Sequence, residues 1–110
     1  MLESNDSVTL LNGAITASEN GSAVEVNDFN GVLAYLNVTA ISGTSPSMTV
    51  ALQDSPDGVT WYNAAQFTAV TAVGTQRLVV ANVGKYVRAS VTLSGTTPSF
   101  TTNVQVVGIR

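Results

Sequence analysis

Apolar and polar residues alternate with a period of two along most of this chain, and no stretch shows a helical period. Residues 32–41 form the longest alternating run, with Val32, Ala34, Leu36, Val38 and Ala40 on one side and Leu33, Tyr35, Asn37, Thr39 and Ile41 on the other. Both sides carry apolar groups, which predicts a central strand covered in part on both faces. Residues 48–53 give a one-sided strand, and residues 85–93 give the cleanest alternation, with Val87, Ala89, Val91 and Leu93 inward. Further strands are predicted over residues 8–11, 14–18, 23–27, 66–71, 76–81 and 99–107, the last with Phe100, Val104 and Val106 on one face.

Turn signals fall between these runs. Asn12-Gly13 has the positive-φ tolerance of a type I′ hairpin. Glu19-Asn20-Gly21-Ser22, Asp28-Phe29-Asn30-Gly31 and Asn82-Val83-Gly84 are further turn candidates. In Asp54-Ser55-Pro56-Asp57-Gly58, Pro presets φ and Gly supplies the positive-φ position. Loops are predicted at residues 42–47 and 94–98. The expectation is an all-β chain: a single antiparallel β-sandwich of about eight or nine short strands, Ig-like or jelly-roll-like, without significant helix. Residues 1–7 are polar and acidic and read as a flexible arm, leaving residues 8–110 as one sandwich domain.

A repeat organises the middle of this pattern. SGTSPSMTVALQ at residues 42–53 and SGTTPSFTTNVQ at residues 94–105 agree at seven of twelve positions. Two copies about 52 residues apart are too few for a solenoid. One hairpin type used twice is the reading, each with a loop set by Gly and Pro and then one large buried residue, Met48 or Phe100. Gly43, Pro46, Gly95 and Pro98 are therefore candidate interface loops.

Composition narrows the chemistry. The 110 residues contain no Cys and no His, which removes disulfides, thiolate sites and the commonest general base and metal ligand. Only 10% of residues are charged and the net charge is −3, so no basic stripe exists to neutralise phosphates and nucleic acid is not an expected partner. All seven acids precede residue 58 and all four bases follow it, a division that favours association of subunits if the two halves stay apart in space. No apolar run reaches the roughly 20 residues of a membrane span, and the amino terminus lacks the pattern of a signal peptide. The expectation is a protein made in the cytoplasm without an export signal.

Ser55-Pro56-Asp57-Gly58-Val59-Thr60-Trp61 is the strongest local motif. It resembles the S-x-D-G-x-x-W turn of discoidin-like sandwiches and approaches the Asp-box of sialidase propellers, without the residue between Asp and Gly. In such settings the Asp bonds turn amides and the Trp packs at the base. Asp54, Pro56, Asp57, Gly58 and Trp61 are thus assigned to a structural turn, with a sugar-stacking platform of Trp61 and Tyr62 as the functional alternative. Asp54 and Asp57 alone supply too few oxygens for Ca²⁺, and two turn carboxylates in water have no reason to separate in pKa. No catalytic, metal or cofactor residues are assigned.

The set formed by residues 36–46, residues 52–62, Phe67-Thr68, Tyr86-Val87-Arg88 and residues 94–100 resembles small virion structural proteins of tailed bacteriophages. The resemblance implies a non-enzymatic β-sandwich on the phage head, a capsid decoration (cement) protein. Its implied partners are the major capsid protein and further copies of itself, with a trimer as one symmetric arrangement. A tail or fibre module, or a carbohydrate-binding module using Trp61 and Tyr62, are the alternatives.

Overall fold

A computed structural model describes residues 7–26 and 31–109. Among these residues there is no helix, and seven strands form one antiparallel sheet: β1 (Ser7–Ile15), β2 (Glu19–Asn20), β3 (Val24–Glu25), β4 (Gly31–Ser55), β5 (Tyr62–Gln66), β6 (Gly74–Ala81) and β7 (Tyr86–Ile109). The expectation of an all-β antiparallel fold holds. The expected eight or nine short strands do not, because β4 and β7 are each more than twenty residues long.

β4 and β7 pair with each other along their whole length, from Gly31↔Ile109 to Ser55↔Tyr86, and this ribbon carries every other strand. On the first part of β4 and the last part of β7 lie β6 and β1. On the other part of the ribbon lie β5, beside β4, and β2 and β3, beside β7. The pairing of β4 with β7 continues from one part to the other through register shifts, and the sheet is not closed. Residues of both parts share one core: Val32, Leu36 and Val104 from one, Val50, Leu52, Val87 and Val91 from the other, with Met48, Phe67 and Phe100 among them. Alternate residues of the strands in each part point into this shared core.

Both long strands bend where loops were expected. Residues 42–47 and 94–98 lie inside β4 and β7 and pair with each other, through Ser42↔Ser99, Thr44↔Thr96 and Ser47↔Ser94, with register shifts on either side of Thr44. Gly43 (φ 115°) and Ser45 (φ 47°) bend one strand, and Gly95 (φ 106°) and Thr97 (φ 44°) bend the other. Each glycine lies against the opposite bend: a Cβ on Gly43 would sit 2.8 Å from the Thr97 carbonyl oxygen, and one on Gly95 would sit 2.7 Å from that of Ser45. The Gly and Pro that read as a loop instead make facing bulges, which re-aim both strands without ending them. The repeat is therefore a crossing of two bent strands, not one hairpin used twice.

The same relation extends to the whole topology. β1 pairs the end of β7 as β5 pairs the end of β4, and β2 and β3 pair the start of β7 as β6 pairs the start of β4. Exchanging the two halves of the chain leaves this pairing scheme unchanged. Ile15-Thr16-Ala17 at the end of β1 and Phe67-Thr68-Ala69 after β5 continue the likeness, with Ile15 and Phe67 both buried.

Three smaller expectations are corrected. Asn12-Gly13 is not a hairpin: β1 runs straight through it, held by β7, and a register shift between Thr9 and Leu11 lets consecutive Leu10 and Leu11 both be buried. Residues 19 and 20, expected in a turn, form β2 against Val91 and Ser90. The strand expected at residues 66–71 begins and ends earlier, as β5, and continues as a bond from the Phe67 amide to the Val50 carbonyl and a bridge between Met48 and Val70. Of the arm expected at residues 1–7, Ser7 belongs to β1 and residues 1–6 lie outside the described residues, as does most of the turn at residues 28–31.

Candidate functional site

The Asp57 turn closes the end of β4. Ser55 is completely buried, and its Oγ accepts hydrogen bonds from the amides of Asp57 (3.2 Å) and Gly58 (2.8 Å) while donating to Asp57 Oδ1 (3.0 Å). Asp57 Oδ1 in turn accepts from the amides of Thr60 (3.0 Å) and Val59 (2.9 Å). Gly58 takes the positive φ of 78° that the turn requires, beside the Tyr86 ring. The bonds from Thr60 and Val59, then that from Ser55, favour the ionised form and hold the Asp57 carboxyl below its ordinary value. Asp54 is engaged elsewhere: its Oδ2 accepts from the Gly84 amide at 2.8 Å, tying the end of β4 to the segment that leads into β7. The two carboxylates therefore serve separate backbone groups. Among the described residues, no three of His, Cys, Asp and Glu are grouped to hold a metal ion.

Trp61 is half-buried, with the Arg88 guanidinium over its ring at 4.3 Å from the centroid. Arg88 Nε also donates to Gln53 Oε1 at 2.8 Å, and Gln53 Nε2 donates to Asn63 Oδ1 at 3.0 Å. Asn63, Gln53 and Arg88 are direct cross-strand partners on β5, β4 and β7, so these side chains form one rung across the sheet. Two residues along, Ser90 Oγ donates to Asn20 Oδ1 at 2.8 Å and extends the polar face to β2.

Tyr62 lies in the next row, opposite Asp54, which is itself opposite the fully buried Val87. Because successive residues of a strand point to opposite faces, that row and the Arg88 rung belong to different sides of the sheet. Trp61 and Tyr62 thus do not make one stacking platform, and the guanidinium already covers a face of the indole.

Of the residues singled out from the sequence, Asp54, Pro56, Asp57, Gly58 and Trp61 gather at the end of β4, while Gly43, Pro46, Gly95 and Pro98 gather at the crossing. The Asn63–Gln53–Arg88 rung was missed as a unit, because its members are brought together by strand register over as many as 35 residues. Compared with known proteins, the chain matches no family model and no curated relative.

Proposed function

We propose that this chain is a non-enzymatic structural protein of a bacteriophage particle, a capsid decoration protein that binds the major capsid protein on the head and stabilises the shell. The observation that carries this reading is the surface at the strand crossing. Ser42, Thr44, Ser45, Ser94, Thr96 and Thr97 are all exposed there, on a backbone pinned by the reciprocal packing of Gly43 and Gly95. A rigid, uncharged, hydroxyl-rich surface costs less to desolvate than a charged one and loses little entropy on contact, which suits broad association with another protein. The engagement of Asp54 and Asp57 by backbone amides also favours a structural role for the most conspicuous motif.

The test is binding of the purified protein to expanded phage heads. Bound protein should raise their resistance to heat and low salt, and Thr44→Lys combined with Thr96→Lys should weaken binding while leaving the circular dichroism spectrum unchanged. Binding to tails alone would move the reading to a tail or fibre module, and binding to no particle component would sink it.

A further inference from the structure

The edges of the sheet differ in how they are protected. β2 and β3 have only two residues each, β5 has five with a register shift opposite it between Leu52 and Gln53, and β1 carries its own shift between Thr9 and Leu11. Short strands and bulges of this kind blunt an edge against pairing with other chains. β6 has neither device. Its eight residues, GTQRLVVA, pair with β4 in unbroken register from Gly31↔Ala81 to Val38↔Gly74, and they include no Pro and one charge, Arg77. No strand pairs the other side of β6 among the described residues. Val79 on its outward face is 62% exposed, beside Leu33 and the exposed Tyr35 of β4.

We propose that β6 is a self-association edge, at which two copies of this chain pair their β6 strands antiparallel about a two-fold axis and continue the sheet from one molecule into the next. An antiparallel strand pair about such an axis is self-complementary, so one surface serves both partners. Charge selects the register. Side chains must stay on matching faces, so the axis passes midway between one residue of β6 and the same residue of the partner, and each residue meets one of the same orientation. Centring on Arg77 would place two guanidinium groups opposite each other, which is destabilising. Centring on Leu78 is the longest register that avoids this: Thr75 meets Ala81, Gln76 meets Val80, and Arg77 meets Val79 twice. The aliphatic stem of each Arg77 then covers the partner's exposed Val79 while its charge stays in water.

Seven paired residues extend about 24 Å at roughly 3.4 Å per residue. A contact of this length falls below the roughly 800 Å² per partner of a standard interface, so the dimer is a reversible one. It stands independently of binding to any particle and is read in free solution.

Sedimentation equilibrium on the purified chain should show mass rising from monomer towards dimer between about 10 μM and about 1 mM, the range expected of so small an interface. Val79→Lys, at an exposed position, should remain monomeric throughout with an unchanged circular dichroism spectrum. The chain has no cysteine of its own, so Leu78→Cys gives a clean probe of register. Under mild oxidation it should form a disulfide-linked dimer, since directly opposed antiparallel residues lie within disulfide reach, whereas Thr71→Cys should not. A chain that stays monomeric at about 1 mM overturns the proposal. So does a trimer, a dimer that Val79→Lys leaves intact, or a Leu78→Cys dimer that does not cross-link. Should Val79→Lys fail to fold, the cross-linking result decides.

Discussion

Residues 7–55 and residues 59–107 build the same thing twice, and they differ in instructive places. Each half gives a strand that borders the far end of the other half's long strand, then an edge element, then a long strand bent at Gly-Thr-x-Pro-Ser. What they share is the crossing and the inward-facing residues, Met48 in one and Phe100 in the other. What they do not share is the edge. The first half breaks it into β2 and β3 around Gly21, where a Cβ would meet the Leu10 carbonyl oxygen at 2.6 Å, and the second keeps β6 whole. Charge follows the same division: Glu19 and Glu25 lie on β2 and β3, and Arg77 lies on β6. Changes at positions that fix the ribbon disturb both halves at once, whereas an edge strand can be broken, charged or left open. The edges are therefore where two otherwise equivalent halves acquire different contacts.

The comparison is tested most severely in the core. Met48 and Phe100 occupy the same place in the repeat, and both are fully buried. They share a neighbour in the buried Thr102, whose Oγ1 donates to the Phe100 carbonyl at 3.1 Å and lies 3.7 Å from Met48 Sδ. Met48→Ala and Phe100→Ala should each lower the unfolding free energy by about 2–5 kcal/mol, read from urea or guanidinium midpoints. The reciprocal exchange, Met48→Phe with Phe100→Met, keeps the total volume and should cost less than either alanine variant. If one alanine variant were close to neutral, the two bends would not be equivalent parts of one core.

Gly43 and Gly95 give the next largest effect. Both have positive φ, and at both a Cβ would press on backbone of the opposite strand, which cannot swing aside as a side chain can. Gly43→Ala and Gly95→Ala should each cost roughly 1–3 kcal/mol in thermal or chemical denaturation. Similar losses are expected because each glycine packs on the other's bend. A crossing in which one tolerates alanine and the other does not would be asymmetric, and the exposed hydroxyl surface above it would be fixed from one side only.

The alternating runs made much of the interior legible beforehand. Val32, Ala34, Leu36 and Val38, then Val87, Ala89 and Val91, then Phe100, Val104 and Val106 are buried on the faces that their period assigns. Strand ends were less legible, because Gly and Pro carry the same local signal whether a strand stops or bends. Only the pairing of Ser42 with Ser99 and of Thr44 with Thr96 tells β4 and β7 to continue, and that information lies more than fifty residues away. Asn12-Gly13 fails for the same reason, since the ladder to β7 overrides a local turn preference. The Asp57 turn depends on bonds between residues at most three apart and is readable in place. The meeting of Arg88 with Trp61 and Gln53 is a product of register.

The Asp57 turn joins the two halves and separates what is local from what is shared, and its effect should be the smallest. Its carboxyl is held below the ordinary value of 3.8 by the amides of Thr60 and Val59 and by the Ser55 hydroxyl, so the folded state binds its proton more weakly than the unfolded one. That contribution to stability is present in full above about pH 4 and disappears as pH falls through the lower, folded value. Asp57→Asn keeps an oxygen for the two amides but removes the charge. Its melting temperature should lie slightly below that of the parent near neutral pH, and the gap should narrow as pH falls below the ordinary carboxylate range. Added salt should narrow the gap at neutral pH as well, since the group is exposed and screened. A gap that persists unchanged into acid would mean that Asp57 acts through hydrogen-bond geometry alone. The turn would then be a neutral hinge between two like halves and not a charged one.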